Sequence, residues 1–346
     1  MSDYKDFDSI MKEITLGLTG DNAADIEYLK IQMEKYKDHP LKKEILRACG
    51  RLLFDKIDPE TKEKLTSLLN KNDEGTKATL DEVRFNIYKK DYDKALEIME
   101  TLIAKIEKGN LFEDDEVSEY HDFEEYFEEV LYTYHFQPKK TIRRVPVPYT
   151  EIYMLYGSLL FEMKQYEQAR EALKKGLKWN PTSFKITMEY IETYKVFKDF
   201  DKTFELTKEA FKIAFRPADL ARCYRNLGYL FIEKEAWSQA IGCYQLSLQF
   251  EPDSKQAMSE LYYIHEQTAG MIKQPSFNQM KKYCEKYGFP LGPDQDVLGL
   301  SYSIGMDAYK NNNAEACKYL LGIAYDLTQD EKIKKILDQL PTDLKN

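Results

Sequence analysis

The groups able to do covalent or metal chemistry are few and scattered along this 346-residue chain. The four histidines, His39, His121, His135 and His265, stand in no HExxH pattern and in no Cys/His spacing that would hold zinc. The five cysteines (Cys49, Cys223, Cys243, Cys284, Cys317) are odd in number and contain no C-x-x-C pair, which predicts buried, reduced thiols. Gly17 and Gly20 are too close together for a phosphate-binding loop, and no G-x-S-x-G appears. The densest set of ionisable groups runs from Glu113 to Glu129: ten carboxylates and no Lys or Arg, interleaved with Tyr120, Phe123, Tyr126 and Phe127. Carboxylates in such numbers can hold calcium, but this run lacks the alternating ligands and central glycine of a calcium loop. These patterns predict no catalytic residue, no metal and no cofactor. What remains is the chemistry of recognition, cations, tyrosines and methionines on helix faces, and the elements that carry those faces follow from a repeat.

From Tyr149 to Asp253 the chain repeats itself. In the first copy Gly157 sits in an apolar helix; Ala169 follows twelve residues later, after the aromatic turn residue Tyr166, and Pro181 after another twelve. The third copy puts Gly228, Trp237, Ala240 and Pro252 at the same offsets. A middle copy from Phe184 to Pro217 keeps Phe200 as its turn residue but carries Ile191 and Thr203 in place of the glycine and alanine. Two antiparallel helices of about fourteen residues with a short turn use up about 34 residues, and one such hairpin cannot bury its apolar faces alone, so copies must stack. Gly157 and Ala169 are the small residues that let paired helices approach closely, with Leu160, Leu173 and Leu177 filling the seam.

This pattern resembles the tetratricopeptide repeat family, W-x2-L-G-x2-Y, then A-x3-F, then P. The residues that carry the resemblance are Tyr153, Tyr156, Gly157, Leu160, Ala169, Leu173 and Pro181 in the first copy, and Tyr224, Leu227, Gly228, Phe231, Ala240, Tyr244 and Pro252 in the third. The resemblance implies an all-α fold, an α-solenoid of stacked helix-turn-helix repeats forming a right-handed superhelix. In that family the first helix of each repeat lines a concave groove. Carried over, the groove face holds Met154, Ser158 and Glu162 in the first copy and Lys185, Met188, Glu192 and Lys195 in the second. Arg222, Arg225 and Tyr229 hold it in the third, Ser259, Tyr263 and Glu266 continue the line, and Tyr302, Met306 and Tyr309 end it. Lys185, Arg222 and Arg225 then form a basic island that suits a ligand carboxylate, with tyrosines supplying apolar area. On this reading, changing Arg222 and Arg225 to glutamate abolishes partner capture with little effect on the thermal midpoint. Family members that clamp a C-terminal carboxylate carry Lys and Asn where this chain has Met154, Ser158, Met188 and Glu192, which argues against a chaperone-tail clamp.

The remaining chain is expected to be helical as well. Residues 1–75 read as a divergent amino-terminal cap of four short helices, from Asp6 to Leu18, from Asp21 or Asn22 to Lys37, from Pro40, and from Asp58-Pro59. Residues 76–149 read as a partial repeat, with Tyr92 and Ala95 as its marks, then the acidic aromatic segment as a solvated helix and Pro138–Pro148 as an extended basic strap. Core repeats follow at 150–183, 184–217 and 221–254, then divergent repeats and a capping helix, Glu331–Leu340, over 255–346. The last hairpin places Gly305 twelve residues before Cys317, the glycine-to-alanine offset of the first copy.

A net charge of −10 argues against nucleic acid and anionic membrane as partners. The acidic start, MSDYKDFDSIMKEI, lacks the pattern of a secretion signal, and the densest apolar run, Tyr153–Phe161, is about half what a bilayer requires. The expectation is a cytoplasmic, non-catalytic adaptor that binds a peptide or protein partner in its groove, with self-association through the ends of the stack left open. The alternative is a regulatory sensor of a signal peptide, with residues 113–148 as lid or autoinhibitory segment.

Overall fold

The computed structural model describes residues 2–109 and 112–341. They fold into two compact units: residues up to 122 with 137–163, and residues 123–136 with 164 onward.

In the first unit, α1 (Ser2–Leu16), α2 (Asn22–Lys35) and α3 (Lys42–Lys56) share a core of Ile10, Ile14, Leu29, Leu41, Ile45 and Cys49. Asp21 caps α2, its carboxylate accepting from the Ala24 amide at 2.8 Å. Asp25, fully buried, lies 2.8 Å from the Lys56 ammonium and accepts from the Thr19 amide; Lys56 first and these amides next hold its pKa down at about 2. Then comes a departure from expectation. Where a short fourth helix and a separate partial repeat from residue 76 were expected, α4 runs unbroken from Pro59 to Tyr88, straight through the 75/76 boundary. The intervening sequence, NKNDEGTKAT, carries Gly75 as its one strong breaker. A single glycine costs a helix interior about 1 kcal/mol, which thirty residues with an Asp58 cap tolerate. α5 (Tyr92–Gly109) folds back on α4.

The acidic segment is not one helix. It divides into a turn, a strand β1 (Ser118–His121) and the start of α6 (Tyr126–Phe136), and only α6 belongs to the second unit. Like charges one helical turn apart repel, and here the backbone instead folds around its own carboxylates. Asp115 accepts from the amides of Val117 and Ser118 at 3.0 and 2.7 Å, and Arg47 neutralises it at 2.7 Å, while Lys43 meets Glu113 at 2.9 Å. The strap is extended as expected: β2 (Thr141–Arg144) pairs in parallel with β1, Ser118 opposite Thr141 and His121 opposite Arg144. Asp122 then caps α7 (Tyr149–Glu162), accepting from the Thr150 amide at 2.8 Å.

The second unit continues with α8 (Tyr166–Trp179), α9 (Phe184–Val196), α10 (Phe200–Ala210), α11 (Pro217–Glu233), α12 (Trp237–Phe250), α13 (Lys255–Gln267), α14 (Phe277–Tyr287), α15 (Gln295–Lys310), α16 (Ala314–Thr328) and α17 (Glu331–Leu337). Helices α9 and α10, α11 and α12, and α15 and α16 form antiparallel hairpins, and the small residues do what their spacing demands. A Cβ on Gly228 would fall 2.7 Å from the ring of Tyr244, and one on Gly305 would fall 2.8 Å from the Leu321 side chain. Each bend turns on a left-handed residue that is not glycine: Lys198 (φ 55°), Glu235 (φ 52°) and Asn312 (φ 56°) stand two residues before the next helix.

Burial of Tyr224, Tyr244, Phe211 and Phe231 anchors the core, each worth on the order of 1.5–3 kcal/mol. The Tyr224 hydroxyl also fastens the turn-rich loop that follows α14: it accepts from the Gly292 amide at 2.7 Å and donates to the Pro290 carbonyl at 3.0 Å. α17 closes the end, burying Ile333 against Cys317, Leu321 and Ala324. All five thiols are free and buried. No described helix is long and apolar enough to cross a membrane.

Candidate functional site

Three consecutive first helices, α9, α11 and α13, line a groove of 570 Å³. α9 contributes Glu192, Lys195 and Val196; α11 contributes Arg222, Arg225, Asn226 and Tyr229. Gln256 and Glu260 of α13 complete the wall, and Tyr244 of α12 lies at the floor beneath Gly228. The helical period explains the selection: residues three and four apart share one face of a helix. The stacking then brings equivalent faces side by side.

The charges in the groove are paired within it. Lys195, 15% exposed, donates to Glu192 Oε1 and Asn226 Oδ1, both at 2.7 Å, and burial pushes its pKa down. Its ammonium lies 5.3 Å from the Tyr229 ring centre, a cation–π contact. Arg222 bonds Glu189 at 2.9 Å and lies 4.0 Å from Glu192. Arg225, 13% exposed, reaches Glu251 and the hydroxyls of Ser247 and Ser254, so it ties α11 to the end of α12 and the start of α13.

The expected groove residues therefore separate. Lys195, Arg222, Arg225 and Tyr229 come together in the groove wall. Lys185 does not join them; it pairs with Glu124 at 2.7 Å. There is accordingly no free basic island: each of its three members is matched to a carboxylate, Lys185 to Glu124, Arg222 to Glu189 and Arg225 to Glu251. Reversing Arg225 would also break a structural tie, so the double glutamate change would not leave stability untouched. Met188 is fully buried in the core beside Asn226, whose amide points at its sulfur, and offers no surface to a ligand. Tyr263 and Tyr302 are 45% and 44% exposed and lie outside the groove wall. Met154 and Ser158 are half-buried on α7 in the first unit.

Sequence reading passed over Asn226, Gln256 and Glu260. A strict 34-residue step finds all three: Met188, Arg222 and Gln256 form one series, and Glu192, Asn226 and Glu260 the next.

α6 is not a lid over this groove. Phe127 and Leu131 are fully buried in the second unit's core. Glu128 Oε2 accepts from the amides of Glu124 and Glu125 at 2.8 and 3.0 Å and from the Asn180 side chain at 2.9 Å. Burial pushes the Glu128 pKa up to about 7. Thr182 adds a bond to the Glu128 carbonyl at 2.8 Å, and Arg216 pairs with Glu125. A segment held this way is a core element. Among the described residues no group of three or more His, Cys, Asp or Glu is arranged to hold a metal ion.

Among known proteins, the family model described as tetratricopeptide repeat matches residues 150–183, the span of α7 and α8. Similar solved structures include that of YrrB, a TPR protein with an unusual peptide-binding site, at 14% identity, covering 55% of this chain and 91% of that one with a TM-score of 0.29. Another is the APC/C hetero-tetramer Cut9-Hcn1, at 11% identity, covering 96% of this chain and 66% of that one with a TM-score of 0.25. No curated protein matches. Residues 150–183 thus carry a tetratricopeptide repeat, and the helical hairpins that follow, with Gly228 and Gly305 at their close approaches, continue the same helix-turn-helix architecture.

Proposed function

We propose that the chain is a non-catalytic interaction adaptor whose α9, α11 and α13 groove takes an extended segment of a peptide or protein partner. The groove itself carries the reading: it presents consecutive first-helix faces, and its 570 Å³ falls within the roughly 300–1,000 Å³ of ordinary ligand pockets. Its wall combines a tyrosine face with side chains whose hydrogen-bonding capacity is only partly used. Affinity would come from covering Tyr229 and the exposed edge of Val196, and orientation from the polar groups around them.

The test is a steric block. Gln256 is exposed on α13 and, among the described residues, makes no side-chain hydrogen bond, so Gln256→Trp fills the groove without disturbing the core. Short peptides selected from a random library on the full chain should lose binding to this variant while its thermal midpoint stays put. Selected peptides that bind the blocked variant as well as the unaltered chain would remove the groove from the account.

A further inference from the structure

We propose that the partner segment seated in this groove carries a basic side chain, lysine or arginine, set against Glu260. This deepens the groove reading and rests on it. Three cations stand in or on the wall, Lys195, Arg222 and Arg225, and three carboxylates already answer them, Glu192, Glu189 and Glu251. Glu260 is the remaining charged residue of the wall, and among the described residues it has neither an ion pair nor a hydrogen bond. Half-buried on α13, it is partly stripped of water without a partner in return, and this desolvation pushes its pKa up. Isolated carboxylates in such a place are unfavourable, and an incoming cation relieves that.

A ligand carboxylate has no such opening. To reach Arg222 or Arg225 it would share a guanidinium with Glu189 or Glu251, bringing two like charges together at one cation. The aromatic wall agrees in sign, since the faces of tyrosine rings attract cations, as Lys195 over Tyr229 already demonstrates. The groove thus selects by sign: its three bases are each paired with an acid in the wall or beside it, and Glu260 is the charge left over.

The experiment sequences the peptides that a random library yields on the full chain and keeps those whose binding Gln256→Trp abolishes. Lys and Arg should be enriched over Asp and Glu in that groove-dependent pool. Individual members should bind Glu260→Gln about tenfold more weakly, the loss expected for one charge-assisted contact. Glu260→Gln keeps the side chain's shape and removes a desolvated charge, so its thermal midpoint should hold or rise. On Glu260→Lys the pool should turn acidic. Groove-dependent peptides rich in Asp and Glu, or indifferent to Glu260→Gln, would overturn the assignment while leaving the groove itself standing. An absence of any groove-dependent peptide would overturn both.

Discussion

Gly228→Ala tests the packing on which the hairpins depend. The added Cβ would lie 2.7, 2.8 and 2.9 Å from three ring carbons of Tyr244, where ordinary carbon contacts sit at about 3.5–4.0 Å. The ring would have to retreat by most of an ångström. The ring is 2% exposed and packed in the main core, with the groove it floors as its open side, so a retreat breaks its core contacts. Overpacking of this kind costs about 1–3 kcal/mol, and alanine's better helix propensity returns about 1 kcal/mol, so the net expectation is a loss of about 0–2 kcal/mol. Gly299→Ala on α15 is the internal control, since a Cβ there meets nothing within 4 Å and the same substitution should stabilise by about 0.5–1 kcal/mol. Equilibrium urea unfolding of the two variants beside the unaltered chain reads both effects at once. If Gly228→Ala stabilises as Gly299→Ala does, close approach of α11 and α12 is not what the glycine is for.

Arg225→Ala should lower stability by about 1–2 kcal/mol because it strands the buried Ser247 hydroxyl and unties α11 from Glu251 and Ser254, whereas Arg222→Ala, whose pair with Glu189 is about one-third exposed on both sides, should change it by under about 1 kcal/mol; urea midpoints of the two distinguish them. The Glu128 carboxyl is raised in the folded state from 4.5 to about 7, so its contribution is full below about pH 4.5 and is lost as pH rises through about 7. Glu128→Gln keeps an acceptor for the same three donors, and a thermal-midpoint series across that window should flatten; an unchanged slope would mean that the carboxyl titrates normally. Glu235→Gly relieves a left-handed backbone (φ 52°) at the α11–α12 bend and should stabilise by about 0.5 kcal/mol, the steric relief being partly offset by glycine's greater freedom when unfolded; a loss of stability would place a needed contact in the Glu235 side chain.

The repeat was legible because its cause is steric. Gly228 and Gly305 stand where aromatic and leucine side chains leave no space, and such positions recur at a fixed offset wherever the hairpin recurs. Less legible were segments where local pattern and tertiary partners compete. Residues 113–129 look helical by composition, yet Asp115 turning back on its own amides and the pairing of Ser118–His121 with Thr141–Arg144 decide otherwise, and the partners lie some twenty residues downstream. The unbroken α4 was hidden by a glycine too weak to act as a stop. At the groove, the residue types were readable and their pairing was not. Arg222 and Arg225 look like ligand hooks in sequence, and only geometry reveals that Glu189 and Glu251 already occupy them.

The position of α6 bears on how the second unit comes into being. Repeat arrays made of nearest-neighbour contacts can assemble progressively as they leave the ribosome and fray from either end. Here the Tyr319 hydroxyl binds Glu125 at 3.0 Å and lies 3.4 Å from the Phe127 amide, across 194 and 192 residues of chain. Phe215 and its neighbours can begin to cover Phe127 and Leu131, but α6 gains its last contacts only once Tyr319, far along the chain, has been made. That long-range closure couples α6 to α16, contacts that an array of neighbour-only hairpins would lack.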